Sequence, residues 1–199
     1  MTTALNLVIR QGETFQRVIR WEAPPYTYKA ITGITKAGPA AVTAVSHGLK
    51  TRWRAAIVSV LGMVTINAKH SPPRDAELKQ ITVVDADHVT FNEINSSDYP
   101  AYTSGGYLQF FTPVDLTGYS AAMTIKDRVG GTILTTLTIA NARITLNAST
   151  NTINLYIAAA DTAALTWKKG VYDLELTGPT GIVTTIYRGS ISVTLEVTT

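Results

Sequence analysis

The sequence predicts an all-β protein, and three observations support that prediction. Threonine is the commonest of the 199 residues, and it recurs with Val, Ile, Leu and Tyr in runs that alternate apolar and polar positions. This alternation has the period of two residues that is typical of half-buried strands. Gly, Pro and Asn separate the runs at intervals of roughly 8–12 residues, which indicates an immunoglobulin-like β-sandwich.

The strands of this sandwich are predicted at both ends of the chain. Ala4–Arg10 and Thr14–Trp21 are the first two, and Gln11–Glu13 suits a hairpin between them. Seven further strands are predicted at Tyr119–Lys126, Thr132–Ile139, Arg143–Leu146, Thr152–Ala158, Val171–Thr177, Ile182–Arg188 and Ser190–Val197. The alanine-rich segment Ala158–Leu165 predicts one short helix, with Asp161 and Thr162 as candidate capping residues.

The middle of the chain differs from its ends. It contains all three histidines, most of the turns that flank Pro, and shorter strand candidates at Ala41–Val45, Ala55–Val60, Gln80–Val84 and Val89–Phe91. We therefore expect residues 30–108 to form a small inserted β domain. Residues 1–29 and 109–199 then form one discontinuous β-sandwich domain.

Composition excludes several classes of function. The chain has no cysteine, so disulfides, cysteine nucleophiles and thiolate metal sites are excluded. With 45% hydrophobic and 16% charged residues, disorder is not expected as the main state. The net charge of +3 is not concentrated in a basic tract, so nucleic-acid binding is not indicated. No apolar run reaches the roughly 20 residues of a membrane span, and no secretory signal is visible, so we expect a soluble protein with no membrane partner.

The middle segment resembles a known protein module, mainly at its glycine, proline and histidine positions. The matching residues are Ile31–Lys36, Gly38–Pro39, Val42–Thr43, His47–Leu49, Gly62–Met63, Asn67, Val83–Asp85, Val89–Phe91, Asp98–Tyr99 and Tyr102–Gly106. In this order they resemble the first catalytic cysteine half-domain (FCCH) of ubiquitin-activating enzymes, a small β-barrel-like module that also occurs in proteins of tailed bacteriophages. Because the chain has no cysteine, the resemblance does not imply ubiquitin chemistry. The pattern departs after Leu49, where the phage versions usually continue with Gly-Asp and this chain has Lys50–Arg54.

The flanking parts carry a second resemblance. Its residues are Val114–Tyr119, Arg143–Leu146, Ala158–Leu165 and Gly170–Leu176. They resemble tail or baseplate-type β domains of tailed bacteriophages, in which a helix-like segment precedes a final three-strand meander. Together the two resemblances imply a virion structural protein.

The histidines suggest two chemical alternatives. His47, His70 and His88 with Asp85 or Asp87 are candidate metal ligands, but their spacing fits no ligand motif. Ser46 beside His47 suggests a hydrolytic triad, but no nucleophile-elbow motif is present. We therefore expect no catalytic, cofactor-binding or metal-binding residues and no cofactor.

Two surface patterns have both a functional and a structural interpretation. On a strand, Lys50, Arg52 and Arg54 would share one face and Trp53 the other, as in a phosphate-binding strip with a stacking ring. The alternative, a solvated face with Trp53 in the core, is favoured because three charges give little electrostatic attraction. Trp21, Tyr26 and Tyr28 around Pro24–Pro25 are either a glycan-binding cluster or a Pro-stiffened linker.

The expected function is that of a non-enzymatic structural subunit of a tailed bacteriophage virion, assembled in the bacterial cytoplasm. Its place would be in the tail, at a baseplate, collar or fibre attachment, and its partners would be other virion proteins and copies of itself. Ser190–Val197 has Glu196 as its only charge, so it suits edge-to-edge pairing. The alternatives are a capsid decoration protein, a module that binds a host-surface glycan, and a small hydrolase.

Overall fold

The computed structural model describes residues 3–22 and 24–195 and contains 47% strand and 6% helix. The fold is therefore all-β, as predicted. In chain order the strands are β1 (Thr3–Ala4), β2 (Leu7–Arg10), β3 (Phe15–Ile19), β4 (Tyr26–Ala30), β5 (Gly33–Ile34), β6 (Ala40–Thr43), β7 (Arg54–Leu61), β8 (Lys79–Val83), β9 (His88–Phe91), β10 (Ser104–Phe111), β11 (Ser120–Lys126), β12 (Ile133–Thr138), β13 (Ile144–Asn147), β14 (Thr152–Ile157), β15 (Lys169–Thr177) and β16 (Val183–Thr194). One α-helix, α1 (Ala159–Ala163), and two 3₁₀ turns, Val64–Ile66 and Asp75–Glu77, complete the described elements.

The chain divides into two compact units, and the dividing points differ from the predicted ones. Unit 1 comprises Met1–Trp21 and Val114–Thr199, and unit 2 comprises Glu22–Pro113. The predicted boundaries at 30 and 108 fall inside β4 and β10, which pair along the whole length of β4, from Tyr26 opposite Phe111 to Ala30 opposite Tyr107. Strand β4 therefore belongs to the inserted unit and not to a linker.

Unit 1 is a sandwich of two sheets. The larger sheet has the strand order β1-β16-β15-β11-β12, with β2 also paired to β16, and the smaller sheet has the order β13-β14-β3. Alternate residues of these strands form one apolar core, of which the most deeply buried are Ile9, Met123, Ile125, Leu137, Ile144, Ile153, Leu155, Leu174 and Leu176. Burying each such side chain stabilises the fold by roughly 1.5–3 kcal/mol.

The N-terminal hairpin prediction is wrong, because its two strands belong to different sheets. Strand β2 runs parallel to β16, and β3 runs antiparallel to β14. The turn at Gln11 therefore carries the chain from one sheet to the other. Near α1, Gln11 Nε2 donates to the carbonyls of Ala163 and Leu165 at 3.0 and 3.1 Å, and Thr162 Oγ1 donates to the Glu13 carbonyl at 2.8 Å.

The sequence predicts two strands separated at Gly189, and this prediction is wrong. Gly189 lies inside the continuous strand β16. A side chain at this position would collide with the carbonyl oxygen of Leu5, so the glycine permits a close approach of the N-terminal strands. There Ser190 donates from its backbone N to Asn6 Oδ1 at 3.1 Å. Strand β16 ends at Thr194, and Glu196 and Val197 of the predicted strand lie outside the described residues. Its residues Ile191 and Ser192 pair with β15 on one side and with β2 on the other, so the prediction that this strand is an open edge is wrong.

Helix α1 lies where a short helix was predicted, but the predicted capping is wrong. The residue at the N-cap is Ala158, and no side chain caps it. Asp161 instead forms an ion pair with Arg143 at 2.9 Å. Thr162 Oγ1 donates within the helix to the Ala159 carbonyl.

Unit 2 is a small β-barrel. Its sheet has the strand order β4-β10-β7-β8-β9-β6-β5, so β4 and β5 lie at opposite ends of the sheet. The chain between them closes the ring, because Ile31 N donates to Gly106 O at 3.0 Å and Thr32 N donates to Thr43 O at 2.9 Å. Large apolar side chains fill the interior, including Trp53, Ile57, Ile81, Phe91, Leu108 and Phe110.

Candidate functional site

His47 is a buried structural residue of unit 2. Its side chain is 2% exposed, and Leu49 N donates to its Nδ1 at 3.0 Å. Nε2 therefore carries the proton and donates to the Asp85 carbonyl, 3.0 Å away. Because both ring nitrogens bond to the backbone, neither is available to accept a proton from Ser46. The structure thus does not assemble the triad alternative.

His70 belongs to a loop that is organised around Glu77. The Glu77 carboxylate accepts hydrogen bonds from Arg74 N at 2.8 Å, Lys69 N at 2.6 Å and His70 Nδ1 at 3.0 Å. These bonds, foremost the one from the Arg74 backbone, lower the pKa of Glu77 to about 2. The cluster closes the turn that contains Asp75–Glu77.

His88 pairs with the carboxylate of Asp85. Its Nδ1 lies 2.8 Å from Oδ1, and the backbone N of Asp87 donates to the same oxygen at 2.8 Å. The bond from Asp87 and then the bond from His88 lower the pKa of Asp85. Within residues 3–22 and 24–195, no three His, Asp or Glu side chains come together in a group that could hold a metal ion.

The basic residues 50, 52 and 54 do not share one strand face, so that prediction is wrong. Lys50 and Arg52 precede β7 in a turn, where Arg52 has a φ of 71°. Trp53 lies in the core, 1% exposed, as the structural alternative predicted, and donates from Nε1 to the Phe111 carbonyl at 2.8 Å. The strip with a stacking ring is therefore not formed.

Arg54 begins β7 and is held by two carboxylates. Its guanidinium donates to both oxygens of Glu22 and lies 2.9 Å from Asp75 Oδ1. Burial acts to lower the pKa of Arg54, but the hydrogen bonds and charges of Glu22 and Asp75 outweigh it and raise the pKa. Arg54 is thus a fixed and neutralised charge.

The outer surface of the β4–β10 ladder carries an aromatic cluster. Leu108 and Phe110 point into the barrel core, so the alternate residues of β10 point outward. Across the ladder Tyr26 lies opposite Phe111, Tyr28 opposite Gln109, and Ala30 opposite Tyr107. We call the surface formed by Tyr26, Tyr28, Tyr107, Gln109 and Phe111 the aromatic face.

The rings of the aromatic face are paired. Tyr26 and Phe111 are stacked, with centroids 4.3 Å apart and planes at 23°, and Tyr28 and Tyr107 meet edge to face at 6.3 Å and 88°. Tyr28 is 54% exposed and Tyr107 is 46% exposed, whereas burial and the neighbouring Tyr28 raise the pKa of Tyr26. Trp21, which the sequence grouped with these tyrosines, belongs to unit 1 and packs edge-on against Tyr119.

Gln109 lies at the centre of the aromatic face. It is 3% exposed, and its Nε2 has no hydrogen-bond partner among the described residues. Its neighbour on β7 is Ala56, which is also buried and offers the amide no side-chain acceptor. A buried donor without an acceptor costs roughly 1–3 kcal/mol, so this amide requires an explanation. Sequence reasoning missed Tyr107 and Gln109, although their alternating spacing is typical of a strand face.

Unit 1 has a groove of about 860 Å³ on the outer surface of its larger sheet. Thr124 and Lys126 of β11, Asp173 and Glu175 of β15, and Arg188 of β16 form its floor. Arg188 Nε lies 3.7 Å from Asp173 Oδ1. The groove therefore has charges of both signs.

Comparison of the chain with models of known protein families and with curated proteins gives no match. The resemblances to the FCCH module and to phage baseplate domains therefore remain predictions. In the part of the chain that the structure describes, no helix combines the length and apolar character needed to cross a membrane.

Proposed function

We propose that this chain is a non-enzymatic structural subunit of a tailed bacteriophage virion, located in the tail at a baseplate, collar or fibre attachment. It acts by assembly, through pairing of an open sheet edge with neighbouring subunits. The sequence resemblances in both units support this role. The use of both His47 ring nitrogens for backbone hydrogen bonds supports the non-enzymatic part of the proposal.

The main support is the edge strand β12 of unit 1. Strand β12 pairs with β11 on one side, with Leu137 opposite Met123, and the described residues place no strand on its other side. Its sequence, ILTTLT, has no charge, and Ile133 is 56% exposed. Uncharged edge strands are templates for pairing with another chain.

Only part of this edge is open. Asn141 covers the end of β12, because its Nδ2 donates to Thr136 O at 3.0 Å and its Oδ1 accepts from Thr138 N at 2.9 Å. Arg143 N also donates to Thr138 O at 3.2 Å. The open part is therefore short and begins at Ile133, which suits one defined partner strand better than unlimited stacking. In unit 2, β4 also has a strand on one side only, but it carries Lys29, a charge that opposes pairing, so assembly is assigned to β12 of unit 1.

Mass spectrometry of gradient-purified particles of the phage that encodes the chain tests this function. We expect the protein in the particles, with cross-links from residues near β12 to a tail protein. Cross-links to the capsid shell would instead favour the decoration alternative. Absence from the particles, with the protein abundant in the lysate, would exclude a virion role.

A further inference from the structure

We propose that the aromatic face of unit 2 binds an uncharged saccharide chain, with Tyr28 and Tyr107 as stacking platforms and the Gln109 amide as a hydrogen-bonding group. Such a ligand can bind this face whether or not the protein is part of a virion. The ligand class follows from the rings, the charges and the buried amide of the face.

The exposed tyrosines match the two surfaces of a sugar ring. Tyr28 and Tyr107 lie on adjacent strands and are each about half exposed, while Tyr26 and Phe111 stack beside them. An aromatic ring has an electron-rich face that attracts the C–H groups of a pyranose, and a phenol hydroxyl can bond to sugar hydroxyls. A surface of this kind binds a molecule that is apolar on its faces and polar at its edges.

The charges on this surface select an uncharged ligand. The outward residues of the three neighbouring strands are Tyr26, Tyr28 and Ala30 of β4, Tyr107, Gln109 and Phe111 of β10, and Arg54, Ala56 and Val58 of β7. Arg54 is the one charged residue in this set, and Glu22 and Asp75 already neutralise it. A phosphate or carboxylate ligand would therefore lose its hydration without gaining a free cation.

The Gln109 amide indicates that the ligand supplies a hydrogen-bond acceptor. Its Nε2 is buried and lacks a partner, and it lies between two aromatic pairs on an outward-pointing side chain. Tyr28, its cross-strand neighbour, is more than half exposed, so a ligand that stacks on this ring lies next to the Gln109 position. A sugar hydroxyl that accepts from Nε2 would remove the cost of the unmade bond.

The test is binding of the full chain to an array of neutral oligosaccharides of glucose, galactose, mannose, rhamnose and N-acetylglucosamine, followed by calorimetry with the best one. We expect Tyr28→Ala and Tyr107→Ala each to weaken binding by about tenfold, as the loss of one stacking ring predicts. Gln109→Leu should also weaken binding while the protein stays folded. Tyr156→Ala, which removes an exposed tyrosine from β14 of unit 1, should bind like the wild type.

Three results would overturn the proposal. The first is no binding to any neutral saccharide on the array. The second is wild-type binding by both Tyr28→Ala and Tyr107→Ala. The third is loss of a dimer in sedimentation experiments with these two variants, which would make a second copy of the chain the occupant of the face.

Discussion

The indole N–H of Trp53 donates to the carbonyl of Phe111 at 2.8 Å and so joins the residue before β7 to the last residue of β10. The Trp53 ring is part of the barrel core, and the Phe111 ring stacks on Tyr26 outside it. One hydrogen bond thus connects the interior of unit 2 with its aromatic face.

Trp53→Phe should destabilise unit 2. Phenylalanine fills less of the core and cannot donate to the Phe111 carbonyl, so we expect a loss of about 1–3 kcal/mol in the free energy of unfolding. Urea unfolding followed by circular dichroism measures it. An unchanged midpoint and slope would mean that neither the packing nor the bond contributes.

Arg54→Met should destabilise the protein more than Asp75→Asn does. Removal of Arg54 leaves the largely buried Glu22 carboxylate without its cation, which should cost about 1–3 kcal/mol. The Asp75 side chain is 86% exposed, so its loss should cost under about 1 kcal/mol. Thermal unfolding of the two variants compares them, and equal losses would contradict this assignment.

Glu77→Gln should flatten the acid side of the stability profile. The pKa of Glu77 falls from 4.5 to about 2 in the folded state, so its carboxylate stabilises the fold above pH 4.5 and loses that contribution as the pH falls toward 2. Urea midpoints measured from pH 6 to pH 2.5 should fall less steeply for Glu77→Gln than for the wild type. Glu93→Gln, at a largely exposed ion pair with Lys79, serves as the control and should keep the wild-type slope.

Ile133→Lys should weaken assembly without unfolding the sandwich. Ile133 lies at the open part of β12, and a charge on an edge strand opposes pairing. Incorporation of the variant into particles should fall, whereas Ile182→Lys, at another exposed isoleucine that lies outside the described strands, should assemble normally. Equal incorporation of both variants would remove β12 from the assembly surface.

Replacement of residues 22–113 by a short Gly/Ser linker should leave unit 1 folded. Trp21, at the first cut, and Tyr119, five residues after the second cut, pack together within unit 1 with ring centroids 6.2 Å apart, so a short linker can join the cut ends. Loop closure changes by only about 0.6 kcal/mol per doubling of length. Calorimetry should show a cooperative transition. The same replacement at residues 30–108 keeps Tyr26–Tyr28 and their partners Gln109–Phe111 but removes most of the barrel core on which they pack, so this product should aggregate. A molten product from the first deletion would contradict the independence of unit 1.

The sequence predicts the strands of unit 1 well wherever the pattern is local. Strands β11 to β15 lie within a few residues of their predicted bounds because alternation and turn residues are properties of neighbouring positions. The errors concern pairing between distant segments. The partner of β2 is β16, which follows it by more than 170 residues. Position 189 requires glycine because a side chain there would collide with the Leu5 carbonyl, and not because the chain turns.

The candidate site was less predictable for the same reason. Tyr26 and Tyr28 are visible in the sequence, but their partners Phe111 and Gln109 lie about 80 residues away and join them only through the ladder between β4 and β10. The burial of Gln109 and the missing partner of its amide depend on three strands at once. A pattern of neighbouring residues in the sequence cannot predict the burial or the hydrogen bonding of such a side chain.

The closure of the barrel also bears on how this protein could have evolved. Tyr26 and Phe111 are cross-strand partners close to the two ends of unit 2, and such partners have Cα atoms only about 4.5–5.5 Å apart. A recipient protein therefore needs only a gap the width of a hairpin loop to accept the whole barrel. Unit 2 meets the geometric requirement for a cassette that recombination can move between genes, together with any ligand preference its surface has acquired.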